Sequence, residues 1–374
     1  MAYYVMKDDI YNKVLREMES FYGEIPNRRH FRQAIEEKLT EEDCEVWLRF
    51  PKHTQEPVTL EEVYRKDGGR TPYLAASVEK MLNNFFLTQW EQRDGIDYYV
   101  RNYIFKIALA YSAIPGFEDD TLTIACQDWF NTMVLGGADR LPKEHKREFR
   151  VVPREAAITV NEAIQVNMNI DIPDRREVVP YDVVTELIKS RRTIVLTSCE
   201  CRKNKDAMGT RQCHHPVETC MLFDELGERS LQYGGCRQIS VEEALEITRR
   251  GRDLGLVHNV SNAENPSVLC QCCSCCCGLL QAMQKNGAKA MNAKASRYVC
   301  IQEDSKCCGS GECAAACPVK AIEMADGKPR YNAMKCIGCG ICITRCPNGA
   351  RSLRLRPNAQ DFMPEYKHFD VLTL

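Results

Sequence analysis

Cys336, Cys339, Cys342 and Cys346 stand at Cys-x2-Cys-x2-Cys-x3-Cys and are followed by Pro347. Three thiolates two residues apart can wrap one face of an iron-sulfur cubane, while the fourth is carried off by the proline turn toward a neighbouring centre, as in bacterial 4Fe-4S ligation. Gly338 and Gly340 lie between the ligands, where the backbone must come close to the cluster sulfides. Zinc accepts thiolates too, but this triple spacing with its trailing proline is specific to iron-sulfur chemistry.

An earlier copy reads Cys307, Cys308, Gly309, Ser310, Gly311, Glu312, Cys313, and then Cys317 and Pro318. In register with the later copy, Ser310 occupies the place of the second ligand. The two copies together resemble the dicluster ferredoxin family, including the apolar pair Ala321 and Ile322 after the first proline. The resemblance implies a pseudo-twofold fold of two hairpins and two short helices. It also implies that one 4Fe-4S cluster takes Cys336, Cys339 and Cys342 with Cys317, and the other takes Cys307 and Cys313 with Cys346. Three outcomes compete for the fourth ligand of the latter: Cys308 shifts in, Ser310 binds through oxygen, or the site settles as a 3Fe-4S cluster. Thiolate is the softer iron ligand and favours Cys308. Gly309-x-Gly311 opens no strand-to-helix crossover and is not read as a dinucleotide fingerprint.

Ten more thiols precede this end: Cys199, Cys201, Cys213 and Cys220, then Cys270, Cys272, Cys273, Cys275, Cys276 and Cys277. They suffice for one or two further clusters. Neighbouring side chains diverge in both helix and strand, so the run from Cys272 to Cys277 must serve different centres or leave some thiols unused. Gly278, Leu279 and Leu280 open a helix, which places the run at an amino-terminal end where exposed N–H groups favour thiolates and anionic clusters. Zinc is the alternative for the set Cys199, Cys201, Cys213 and Cys220. Iron is favoured because a transfer route needs stations and the same chain already carries two.

The segments Cys199 to Arg202, Gly255 to His258 and Cys272 to Cys277, placed ahead of a ferredoxin end, resemble a family of multi-cluster iron-sulfur proteins from anaerobes. That resemblance implies an electron-transfer or reductase component. Arg202 is suited to balance the negative charge of a thiolate-bound cluster. His214, His215 and His258 read as structural or exposed rather than ligating, and Cys44, Cys126, Cys236 and Cys300 as isolated thiols.

The elements that must position these residues fall into regions. Residues 1–150 show apolar spacings of three and four over Asp8 to Phe21 and Asn27 to Leu39, the mark of amphipathic helices. Thr59 with Glu62 caps a short helix over Leu60 to Arg65, a longer one covers Pro72 to Leu87, and Asp94-Gly95 turns a hairpin within Gln89 to Tyr103. That order predicts a winged-helix-like domain, with a plain helical scaffold as the simpler reading. Residues 151–297 predict a mixed α/β cysteine-rich metal-binding domain. In it the strand Thr193 to Thr197 delivers Cys199 at its carboxyl end, and a helix runs from Ser240 to Leu254 before Gly255. Residues 298–357 form the 2×(4Fe-4S) ferredoxin-like domain, and 358–374 a docking tail. The fold class is α+β.

Composition narrows the function. Only Cys44 and Cys126 of the 22 cysteines precede residue 199, so the thiols serve a region and not the stability of the whole fold. The polar amino terminus shows no export signal, which predicts a reducing cytoplasm and metal ligation in place of disulfides. Tyr103 to Phe117, interrupted by Lys106 and Pro115, is shorter than the roughly 20 apolar residues of a membrane span. With 50 basic and 52 acidic side chains, strong attraction to nucleic acid is not expected. No flavin or nicotinamide fingerprint is present. The sequence therefore predicts an iron-sulfur carrier of low-potential electrons between a donor and an acceptor protein in anaerobic metabolism, compatible with a homo-oligomer. A reductase with a substrate-binding iron in the middle domain and a redox-sensing DNA-binding regulator are the alternatives.

Overall fold

The computed structural model describes residues 9–22, 25, 28–52, 55–66, 68, 73–102, 107, 121–122, 124–125, 149–158, 182–231, 234–287, 293–364 and 366–369. Most of the apolar stretch from Tyr103, and Cys126, lie outside them. The chain divides into two compact units, one built on residues 1–133 and the other on 134–371.

The first unit carries α1 (Ile10–Tyr22), α2 (Arg28–Lys38), α3 (Glu41–Arg49), α4 (Leu60–Lys66) and α5 (Leu74–Asn83), followed by strands β1 (Leu87–Arg93) and β2 (Ile96–Arg101). Asp94 and Gly95 both have positive φ, the conformation of a tight two-residue hairpin turn. Thr59 and Glu62 exchange the expected reciprocal bonds, Thr59 N–H to Glu62 Oε2 at 2.8 Å and Glu62 N–H to Thr59 Oγ1 at 3.2 Å. The sequence reading passes over α3, although Thr40 and Asp43 close a capping box at its start. The buried Trp47 of that helix donates its indole N–H to the carbonyl of Phe86 at 2.8 Å.

The second unit is built on a seven-stranded sheet ordered β10-β3-β7-β9-β5-β4-β6. Its strands are β3 (Phe149–Val152), β4 (Ile194–Ser198), β5 (Glu218–Phe223), β6 (Cys236–Gln238), β7 (Val257–Ser261), β9 (Val268–Cys272) and β10 (Ala293–Lys294), with β8 (Ala263–Pro266) between β7 and β9 in sequence. β4 leads to Cys199 as expected, and every pairing in the sheet except β10 with β3 is antiparallel. Helices α6 (Val184–Lys189) and α9 (Val241–Asp253) share its apolar core, where Leu187, Ile188 and Ala244 meet Leu196, Phe223 and Leu269. Ser240 caps α9 by accepting from the Glu243 N–H, and Gly255 follows with φ +79°. Helices α7 (Glu200–Ala207), α8 (Asp224–Leu231) and α10 (Gly278–Asn286) complete this part.

At the carboxyl end, β11 (Tyr298–Gln302) pairs with β14 (Arg351–Leu355), and β12 (Ile322–Ala325) with β13 (Lys328–Tyr331). Only the second pair is a hairpin; the first joins the two ends of the module. Helices α11 (Glu312–Ala315) and α12 (Ile341–Thr344) each start from a glycine at φ +78°, Gly311 and Gly340, so the two halves repeat one backbone plan. The strand β15 (Tyr366–Phe369) lies parallel to β8. No helix among the described residues is long and apolar enough to cross a membrane.

Candidate metal centres

In the ferredoxin-like module, Cys336, Cys339 and Cys342 are buried and Cys317 is half-buried. Cys317 and Cys336 both lie close enough to Cys339 to act on its charge, as do Cys336 and Cys339 on Cys342. Burial pushes the Cys339 thiol up to about 12, a cost that binding to iron removes because the metal shares the negative charge. Backbone donors are already aimed at the sulfurs: Gly338 N–H to Cys336 Sγ at 3.4 Å and Ala321 N–H to Cys317 Sγ at 3.2 Å. The equivalent donor in the other half is Ala350 N–H to Cys346 Sγ, also at 3.2 Å. Gly338 has φ +67°, and a Cβ there would stand 2.1 Å from the Tyr298 carbonyl oxygen, so the glycine is required by the close packing of the ligand loop on Tyr298.

Cys307, Cys308, Cys313 and Cys346 line one cavity together with Ser310, Gly309 and Gly311. Both contenders for the fourth ligand thus face the same space; Cys308 is exposed and Cys313 buried. Arg351 lines the cavity as well, and it is 97 % removed from solvent at 3 % exposure. Its guanidinium reaches Cys313, lies 3.6 Å from Cys300 Sγ through Nη1, and donates to Gln302 Oε1 at 2.5 Å through Nη2.

Cys300 is not isolated. It is buried on β11 with its Sγ 3.6 Å from that of Cys342. The hydrogen bond with Cys342, and Arg351 beside it, bring the Cys300 thiol down to about 7 against the opposing effect of burial. Its place on a strand, two residues from the inward Tyr298 and so on the same buried face, was the available signal.

The middle cysteines separate into two sets. Cys199, Cys201, Cys277, Cys272, Cys270 and Cys220 are neighbours in that order, each acting on the protonation of the next, and Cys220 returns to Cys199 to close a ring of six thiols. Cys270 and Cys272 share one face of β9, Cys220 comes from the adjacent β5, and Cys199 follows β4. Cys199 and Cys277 are also the N-cap residues of α7 and α10, so the ring takes the amino-terminal ends of two helices. Arg202 is fully buried beside it and donates to the carbonyls of Pro216 and Gln271 and to Thr219 Oγ1 at 3.0, 2.8 and 2.7 Å. Nearby thiols act on it electrostatically, Cys199 first.

Cys213, Cys273, Cys275 and Cys276 form the second set, with all four sulfurs within 4.8 Å of one another. Cys213 therefore does not join Cys199, Cys201 and Cys220, the grouping considered for zinc. The reason is topological: the loop after α7 carries Cys213 across to the turn beyond β9.

The two cysteine-rich regions are tied by short contacts. Helix α10 starts at the ring cysteine Cys277, and Gln284 in its last turn donates to the carbonyl of Pro318 at 2.6 Å, next to the ligand candidate Cys317. Seven residues of helix at 1.5 Å each separate the two ends by about 10 Å. Arg154 adds a second tie: its N–H donates to the Cys339 carbonyl at 3.1 Å and its guanidinium to Thr344 Oγ1 at 2.8 Å and the Arg252 carbonyl at 2.6 Å.

The remaining candidates stand elsewhere. His258 is buried on β7 and held neutral, its pKa lowered to about 3 by burial and by Arg154 and Arg252. His214 is exposed and His215 half-buried. Cys44 is buried in the first unit, where loss of solvent raises its thiol to about 12. Cys236 donates to the Ser230 carbonyl at 3.3 Å.

A family model described as a 4Fe-4S dicluster domain matches residues 298–347. Searches of curated proteins and of solved structures give no match. The carboxyl-terminal module is ferredoxin-like, a domain of the kind that holds 4Fe-4S clusters, and the chemistry it brings to the chain is iron-sulfur electron transfer.

Proposed function

We propose that this chain carries low-potential electrons between a donor and an acceptor protein of an anaerobic metabolism, as a component of an oxidoreductase, through clusters in both cysteine-rich regions. In the module, Cys317, Cys336, Cys339 and Cys342 hold one 4Fe-4S cluster and Cys307, Cys308, Cys313 and Cys346 the other. The six-thiol ring holds a further cluster. The observation that carries this reading is α10, which runs from ring cysteine Cys277 to a hydrogen bond on Pro318, beside Cys317. About 10 Å of helix separates Cys277 from Gln284, and the Gln284 bond sets that helix on the segment that carries Cys317. Cations set beside the sulfurs, Arg202 in the middle region and Arg351 in the module, offset cluster charge and make reduction easier.

The test is anaerobic purification followed by iron and acid-labile sulfide analysis and stepwise reduction. Clusters at all three places give about 12 iron atoms and as many sulfides per chain, with visible absorption that dithionite bleaches and an acceptor restores. Protein free of sulfide, or with a spectrum that dithionite leaves unchanged, would refute the proposal.

A further inference from the structure

We propose that Cys213, Cys273, Cys275 and Cys276 hold one tetrahedral, thiophilic divalent ion, zinc or ferrous iron, which clamps the turn bearing two members of the six-thiol ring. The separations decide the nuclearity. Four thiolates each about 2.3 Å from one ion at tetrahedral angles stand about 3.8 Å apart. The sulfurs of Cys213 and Cys273 are 3.9 Å apart, those of Cys213 and Cys276 3.7 Å, and those of Cys275 and Cys276 3.7 Å. In a cubane each thiolate binds a different iron. Its ligand sulfurs are then separated by an iron-iron edge plus the outward reach of two iron-sulfur bonds, farther than any pair here. The ferredoxin-like module supplies the comparison: among the described residues no other three metal-binding side chains come within 4.8 Å of one another.

The surroundings suit an ion. Cys273 and Cys276 have the two-residue chelate spacing of thiolate zinc sites, and the Cys276 and Cys277 N–H groups both turn onto the Cys273 carbonyl, at 3.4 and 2.9 Å. Leu256 packs on the buried pair Cys273 and Cys276, which keeps water off that side. Four thiolates around a divalent ion leave two negative charges, and two cations reach the set: Arg211 at Cys213 and the buried Arg202 at Cys273. Zinc and ferrous iron both accept a tetrahedral set of four sulfurs.

The order of residues along the turn gives the ion its task. Cys272 and Cys277 belong to the ring, and the residues between them, Cys273, Cys275 and Cys276, belong to the ion. Binding the ion fixes the ends of the turn, and Cys213 locks that turn to the loop of residues 210–217.

The site stands independently of the proposed clusters, so the two readings fail separately. In full-length protein purified anaerobically, the zinc form shows one zinc per chain and an X-ray absorption spectrum with a single shell of four sulfurs and no neighbouring metal. The iron form shows one high-spin iron outside the clusters by Mössbauer spectroscopy. The double variant Cys213→Ala/Cys276→Ala loses that one ion, and hydrogen exchange rises in residues 210–217 and 272–277 but not in 336–346. Native protein with neither ion, or a metal–metal vector at the zinc edge, overturns the proposal. So does a double variant that keeps the single ion, or one that loses iron and sulfide in equal number with no single ion lost. If the variant does not fold, the spectra of the native protein decide alone. Absence of sulfide alongside one bound ion would remove the clusters and leave this site standing.

Discussion

The sulfur of Cys300 lies 3.6 Å from that of Cys342, 42 residues further along the chain, and Arg351 Nη1 lies 3.6 Å from the same Cys300 sulfur. Because Arg351 also reaches Cys313, a continuous line of polar contacts joins a ligand candidate of one ferredoxin site to a ligand candidate of the other. With Cys342 bound to iron, the Cys300 S–H becomes the donor and eases reduction of that cluster. Replacing Cys300 by Ala should lower the midpoint potential of this cluster by about 40 mV, the one-electron equivalent of a hydrogen bond of about 1 kcal/mol. Redox titration followed by electron paramagnetic resonance would measure it; an unchanged potential rules the donor role out.

Arg351 faces the cavity of the other site and carries a full charge there. Arg351→Gln keeps donor capacity but removes the charge, and we expect the cluster bound by Cys307 and Cys313 to shift to a more negative potential than in the native protein. Film voltammetry of the two proteins would show it, and a shift to more positive values contradicts the assignment.

The fourth ligand at that site can be settled by exchange. Cys308→Ala should convert the cluster to a 3Fe-4S form, visible as a resonance in the oxidised state, while Ser310→Ala leaves the spectrum as it was. The reverse pattern makes Ser310 the ligand.

Gly338 tests how tightly the ligand loop packs on the segment from Ser296 to Tyr298. Its φ of +67° disfavours any side chain, and a Cβ would meet Tyr298 O at 2.1 Å and Ser296 Oγ at 2.2 Å. Gly338→Ala should cost about 2 kcal/mol or more and lower the iron content by about four atoms per chain. Full iron content in a variant of native stability would contradict it.

In the first unit, Ser77 Oγ donates to Asp43 Oδ1 at 2.6 Å, and Lys80 Nζ donates to Asp43 Oδ2 at 2.5 Å. Burial raises the Asp43 carboxyl, but these bonds and the Thr40 N–H outweigh it and hold the group below its ordinary 3.8. A depressed folded-state pKa gives stability that is fully present above the unfolded value and lost as pH falls through the folded one. Asp43→Asn should therefore be less stable than the native protein above pH 3.8, by about 1–2 kcal/mol. The gap should close on acidification below that pH. Hydrogen exchange of residues 41–83 across pH would follow it; a gap that widens in acid contradicts the sign.

How much of this was legible in the sequence differs from place to place. The cap at Ser240, the stop at Gly255 and the turn at Asp94-Gly95 are local chemistry, and each occurs where its residues predict. The spacing from Cys336 to Cys346 is likewise a local code, and the ferredoxin-like module follows from it. The partition of the middle cysteines is not local. Cys272 and Cys273 are adjacent in the chain yet lie in different sets, because β9 sits beside β5 and the loop from α7 crosses to the following turn. Spacing shows that such thiols must part company but not which distant partner each one finds. For Cys300 the sequence offers only its inward place on a strand: its partners Cys342 and Arg351 arrive when β11 pairs with β14.

Arg154 and Gln284 have a kinetic consequence. Arg154 fastens the backbone at Cys339 to Arg252, and Gln284 fastens α10 to Pro318, so the two sulfur-rich parts are neighbours in a single solid piece. Under the proposed function, a charge passing from one to the other has no docking encounter to wait for. Its rate is then a property of each molecule, the same in dilute and concentrated solution and indifferent to salt, whereas exchange with outside proteins will slow on dilution.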